Sequence, residues 1–499
     1  VVGAAGRRLL LAVAGASLVL SMAAVYLDPV VDPAGAGELQ AARWINAGEW
    51  HASLAVSERP AYALLTAWVS LVPGLDVTDA ARVIQAVFHA MLAAGFVAFA
   101  GALGSGRALG LIAALLVLLY PALIELRSSV AGEAAYWAMH VWSLALLVRF
   151  VDGGDAAWFL RRWVPVAAAA AAFSLQGLVW LALVPAWMGL RGRGRSAGLL
   201  FAVLAASAIT LYVLWMHSGP LPAADSGFRL DQWLSGSWSR LTQEVGFRAE
   251  ALRARFVDEF SAGYAGPALV ASLVTLMAAG LLETLGWLYG VLAVYAVLAS
   301  RSLLSTGRRR AWRLVVCLDG ALLAAPAVAV LMVSERDALP LSLAILALVP
   351  GALERLWRSA GNLRWAAALA GALALGAGAV ALVPETDRFH LREAGQWLAS
   401  RAAPGDSLYT NNRVVEFYAG TGPGRQDAEY SWQAAMRTVW RGRWREYDFL
   451  ALEIPAGSSH RLGTLKQWLE LEPDAVFAGA NGDRVLVFRA PDAPGRDDA

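Results

Sequence analysis

A succession of bilayer-length apolar runs governs what this chain can become. They fall near residues 9–27, 80–103, 108–124, 133–150, 164–175, 177–190, 197–216, 267–299, 314–333, 338–356 and 363–383. A helix crosses the ~30 Å hydrocarbon layer with roughly 20 apolar residues, because every backbone N–H and C=O must find its partner inside the segment. The pattern therefore predicts an α-helical polytopic membrane protein with about 11 spans. The fifth and sixth runs are short. The eighth is too long for one straight helix and is read as a span plus a kinked or interfacial piece. A further run at 61–72 is too short to cross and is expected to lie along the membrane surface. The first run resembles a secretory signal in length, but no small-residue cleavage pattern follows it, and it is read as a span. Composition agrees: 58% of residues are hydrophobic and only 16% charged, outside the range of soluble globular chains.

Charge bias sets the expected orientation, since cytoplasmic loops collect arginine. Arg7-Arg8, Arg107, Arg149 with Arg161-Arg162, Arg191/Arg193/Arg195, Arg308-Arg309-Arg310 and Arg355/Arg358/Arg364 occupy alternate connections. An odd number of spans satisfies them all. The N-terminus is then cytoplasmic, and the loops 28–79 and 217–265, the turns 125–132 and 334–337 and the tail after 383 are external. A net charge of +2, with arginines scattered among apolar runs, argues against nucleic acid as a partner. The one cysteine, Cys317, excludes an internal disulfide, and its place in an apolar run predicts a small buried hydrophobe.

Beyond residue 383 the pattern changes. Mixed charge, helical periodicity over 390–401 and strand-like stretches at 407–410, 447–454 and 475–489 predict a small extracytoplasmic α/β domain, residues 384–499, joined to a transmembrane domain of residues 1–383. Asn481-Gly482 is a hairpin signal. The last residues, 491–499, are polar and read as disordered. Aromatic and basic residues at helical spacing in 217–265 predict interfacial helices.

The candidate chemistry lies in the external connections. The first loop runs Asp32, Glu38, Ala41-Ala42-Arg43-Trp44, Gly48, then Ser57-Glu58-Arg59-Pro60. The turn after the third span runs from Tyr120-Pro121 to Ser128-Ser129-Val130-Ala131-Gly132-Glu133. Leu175-Gln176-Gly177-Leu178 joins two short spans, and Glu335-Arg336-Asp337 precedes Leu339-Pro340. This set resembles the integral-membrane glycosyltransferases of the GT-C class, in the bacterial branch similar to protein O-mannosyltransferases and lipid A aminoarabinose transferases. Asp32 matches that family's acid after the first span, Gly48 the end of its amphipathic helix, Arg59-Pro60 its basic-proline pair and Glu133 its second acid. The chain departs from the family where Pro33-Ala34-Gly35 replaces the usual second acid or aromatic, so that Glu38 is an alternative to Asp32. It departs again at Gln176, where a basic residue and a glutamate are usual.

The resemblance implies inverting transfer of a sugar from a polyprenyl-phosphate donor to a lipid, glycan or protein acceptor at the outer face of the cytoplasmic membrane. A carboxylate would orient and deprotonate the acceptor, and Asp32 is the first choice. Arginines would stabilise the departing phosphate; Arg59, Arg127 and Arg336 sit at the external boundary, with Glu58 and Gln176 as further binding candidates. Glu133 either joins the loop acid in holding a divalent cation or positions the acceptor, and no other cofactor is expected. The bland readings are solvated loop acids, arginines reaching lipid headgroups, and a Glu58–Arg59 surface pair. Glu283 and Asp319 lie inside apolar runs, where an ionisable group is functional by default; the alternatives are a helix-packing contact or a place near a boundary, and both residues are left outside the predicted site. A transporter, with polar groups near the midplane on broken helices, is the rival class, and an inactive scaffold is the third possibility.

Overall fold

A computed structural model describes residues 4–190 apart from 51, 54–56, 58–59, 105–106, 131 and 154. It also describes 265–359 apart from 331–332, and 388–490 apart from 404, 421–429, 459–462, 464 and 466, with a few single positions between 198 and 378. Glu58, Arg59, the loop 217–265 and most of the expected spans 197–216 and 363–383 lie outside the described residues.

The helices follow the apolar runs. They are α1 (Ala4–Leu27), α2 (Pro33–Asn46), α3 (Pro60–Val69), α4 (Val77–Leu103), α5 (Arg107–Leu118), α6 (Pro121–Glu125), α7 (Glu133–Val151), α8 (Ala156–Phe173), α9 (Leu175–Leu190), α10 (Ala265–Leu303), α11 (Thr306–Val330), α12 (Glu335–Leu346) and α13 (Val349–Ser359). Among the described residues five helical stretches are long and apolar enough to cross a membrane: 5–27, 77–103, 133–151, 267–303 and 335–358. The chain is a multi-pass membrane protein. Helix ends carry their local signals. Asp32 and Asp155 cap α2 and α8, and Pro33 and Pro121 open α2 and α6 with the ring's preset φ. Ser334 caps α12 by accepting from Asp337 N at 3.2 Å, while its hydroxyl donates to Asp337 Oδ2 at 2.6 Å. The α10 segment has 39 residues, about 58 Å if straight and nearly twice the hydrocarbon thickness. It breaks at Gly286, where φ 68° and ψ 150° suit a residue without Cβ.

Two sequence expectations are corrected. Gln176-Gly177 lies in the first turn of α9 rather than in a connection, because the break falls two residues earlier, at extended Ser174. A Cβ at Gly177 would stand 2.5 Å from the Ala170 carbonyl carbon, so only glycine lets α9 start this close to the end of α8. Cys317 is exposed on α11, not buried. An apolar run crossing lipid has an outward face, and run membership alone does not place a residue on the inner one.

The chain forms two compact units. One comprises Val1–Leu20, Ala86–Leu126 and Glu133–Leu382. In it α7 is buried on nearly all sides and packs against α8, α11 and α12, while α12 also lies on α10 and α11. The other unit comprises Ser21–Gln85, Arg127–Gly132 and Val383–Ala499. It contains α14 (Phe389–Ala399), β1 (Leu408–Thr410), α15 (Arg413–Ala419), α16 (Trp432–Trp440), β2 (Phe449–Ile454), β3 (Ala475–Ala478) and β4 (Arg484–Arg489). The sheet order is β1-β2-β4-β3, with β1 and β2 parallel and the other pairs antiparallel. The predicted hairpin forms: Gly482 takes φ 92° between β3 and β4. Phe449, Ala451, Val485 and Val487 pack on one face with α14 and α15, and Leu450, Leu452, Leu486 and Phe488 on the other with α16. Burial on both faces explains why β2 opens with four apolar residues in a row, Phe449 to Leu452, ahead of Glu453. Val30, from the loop after α1, belongs to the first of these cores and is 2% exposed.

Candidate functional site

In the unit that holds the sheet, the candidate acids sit on α2. Asp32 is its N-cap and is buried; Oδ1 accepts from Gly35 N at 3.3 Å and from Val130 N at 3.1 Å. The first bond satisfies an orphan donor of the helix start, and the second joins the turn 127–130 to it. Gly35 makes the approach possible, since a Cβ there would lie 2.5 Å from Val130 O and 2.6 Å from Asp32 Oδ1. Glycine at position 35 thus has a local physical cause. Glu38, also buried, accepts from Ser57 Oγ at 2.9 Å, which ties α2 to the segment preceding α3.

Arg127 is 1% exposed and donates from Nη1 to Ser21 Oγ at 2.9 Å. Burial pushes its guanidinium down to about 10, the direction expected when a charge is desolvated. Asp28, which the sequence reading passed over, accepts from Ser128 Oγ at 3.3 Å and pairs with Arg388 Nη2 at 3.1 Å. Its position one residue past α1 was the available signal. Arg82 donates to Pro29 O, and Tyr418 accepts Val31 N at 3.2 Å, so the whole stretch from residue 28 to 32 is held. Arg43 lies 4.0 Å over the Phe417 ring and donates to Phe417 O at 3.2 Å, which docks α15 on α2. Its own pKa is lowered by burial, with Asp76 and Tyr418 opposing.

In the helical unit, Glu133 opens α7 and Arg336 lies in the first turn of α12; Arg336 Nη1 and Glu133 Oε1 approach to 3.8 Å with both side chains mostly covered. The structure thus pairs two of the predicted residues. The Gln176 backbone N–H donates to Ser174 Oγ at 3.3 Å in the α8–α9 corner, a local contact. Farther along α7, His140 Nε2 meets Asp319 Oδ2 of α11 at 3.3 Å, and Trp180 Nε1 of α9 donates to Asp319 Oδ1 at 3.2 Å. Tyr136 stacks on His140 at 5.3 Å between centroids, and Trp180 meets the same imidazole edge-on at 5.1 Å. Asp319 is therefore a bonded group inside the bundle, and its aspartate in an apolar run was the sequence signal. Among the described residues no three His, Cys, Asp or Glu side chains gather in a group that could hold a metal ion.

No protein-family profile and no curated protein sequence matches the chain. Among solved structures it is similar to ArnT from Cupriavidus metallidurans in the apo state, at 15% identity over 97% of this chain and 98% of that one, with a TM-score of 0.44. It is likewise similar to the same ArnT bound to undecaprenyl phosphate, at 14% identity, the same coverages and a TM-score of 0.43. Overlap of that size leaves the activity to be argued from the residues.

Proposed function

We propose that the chain is a membrane glycosyltransferase that moves a sugar from a polyprenyl-phosphate donor to a hydroxyl or amine of a lipid, glycan or protein acceptor at the outer face of the cytoplasmic membrane. The observation that carries this reading is the Glu133–Arg336 pair at the N-terminal ends of two apolar, membrane-length helical stretches. A guanidinium at that level, beside the positive ends of two helix dipoles, suits a lipid phosphate and the charge that grows on it as the sugar departs. Glu133 orients that guanidinium and positions the acceptor. Asp32 is the base: two backbone N–H groups hold its Oδ1 in place, the preorganisation a proton-abstracting group requires. Glu38, held by Ser57, is the alternative. Apolar helix faces receive the isoprenoid tail.

The test incubates purified protein with radiolabelled polyprenyl-phosphate sugars and native membrane extract, undecaprenyl phosphate being the first carrier to try. Wild type transfers label, and Asp32→Asn and Glu133→Gln lose transfer by about 100-fold or more. Undiminished transfer in both variants removes the site assignment. Absence of transfer with every donor, together with sugar-lipid movement across proteoliposomes, would favour the transporter class, to which the break at Gly286 lends its one support.

A further inference from the structure

Glu133, Tyr136 and His140 follow one another at i, i+3 and i+7 on α7, and this spacing returns to the same helix face after two turns, about 10 Å from the first residue. At one end of this stripe stands the Glu133–Arg336 pair. At the other, Asp319 receives the imidazole of His140 and the indole N–H of Trp180, so a single buried carboxylate joins α7, α9 and α11. Asp319 is 3% exposed and His140 2%.

Apolar contacts specify a helix's rotation poorly when every face is apolar, because one greasy face packs about as well as another. The stretch of α7 beyond Glu133 is such a helix, buried on nearly all sides and lined by Ala, Leu, Val and aromatic side chains. Within a membrane, where no water competes, a few polar contacts then select one rotation and one register. Hydrogen bonds run from α7 side chains to two other helices: His140 to Asp319 of α11, and Trp142 Nε1, which donates to Met91 O of α4 at 2.9 Å. Tyr136 and Trp180 pack on two sides of the imidazole and leave it little freedom to turn.

We propose that Asp319 is a positioning residue: through His140 and Trp180 it sets the rotation of α7 and thereby aims Glu133 at Arg336. The proposal rests on the glycosyltransferase reading for its consequence in catalysis, but the aiming itself is testable without activity. Asparagine in place of Asp319 keeps the volume and an acceptor for the indole N–H and offers a donor to the imidazole, while leucine keeps the forked outline at a larger volume and removes both.

The experiment measures transfer kinetics for wild type, Asp319→Asn and Asp319→Leu. It also uses bifunctional thiol reagents of graded length to measure the reach between Glu133→Cys and Arg336→Cys in a Cys317→Ser background. Leucine is expected to lower kcat by about 10- to 100-fold with the donor KM unchanged, the size expected for misplacement by about 1 Å. It is also expected to shift the preferred cross-linker length. Asparagine is expected to stay within about threefold of wild type in kcat and to keep the wild-type cross-link. Leucine indistinguishable from wild type in both readouts overturns the proposal. Asparagine as impaired as leucine also overturns it, and assigns the carboxylate a role through its charge. Should leucine fail to accumulate, Trp180→Phe and His140→Gln supply the same two readouts. If wild type transfers nothing, the glycosyltransferase reading fails, and the cross-link pattern alone decides the aiming.

Discussion

Replacing Asp32 by alanine removes two bonds at once, the cap of α2 and the acceptor of the Val130 N–H. Loss of an N-cap costs about 1 kcal/mol. A buried amide left without its acceptor costs about 1–3 kcal/mol more. The local opening of the α2 start and the 127–130 turn should therefore become easier by about 2–4 kcal/mol. At 1.36 kcal/mol per factor of ten this is a roughly 30- to 1000-fold faster amide exchange, provided opening limits exchange by its equilibrium. Asparagine retains an acceptor oxygen and caps as well as aspartate, so its effect on exchange should stay within about threefold. Hydrogen exchange followed by mass spectrometry of peptides covering residues 30–47 and 126–132 reads both variants. The catalytic assignment adds a second demand: Asp32→Asn should keep wild-type protection yet lose label transfer. Unchanged protection in Asp32→Ala would refute the keystone role of this side chain. Full transfer by Asp32→Asn would move the base to Glu38.

Two further outcomes follow from the same unit. Gly35→Ala forces a methyl to 2.5 Å from Val130 O and should destabilise the unit by about 1–3 kcal/mol, read as a lower thermal midpoint in detergent; an unchanged midpoint would mean the turn yields without cost. Arg43→Lys keeps the charge but loses the planar stack on Phe417, and should weaken the docking of α15 on α2 by about 1 kcal/mol, seen as faster amide exchange over residues 413–419; equal rates in the two proteins would show that charge alone suffices.

Much of the architecture was legible in the residues. The spans follow from local arithmetic, because a membrane helix satisfies its backbone within itself and so announces its length as an apolar run. Asp32-Pro33, Pro121 and Asn481-Gly482 mark their turns for the same reason, since each acts on close neighbours, Asp32 three positions on and Asn481 two. The charged residues Glu133 and Arg336 could be picked out by their place at run ends. What they touch could not. Asp32 meets Val130 across 98 residues, and His140 meets Asp319 across 179. Val30 enters the core of a sheet whose strands begin only at Leu408. Such contacts rest on how helices choose one face among several equally apolar ones and on where a carbonyl can approach a missing Cβ, and those choices are made between distant segments once they pack.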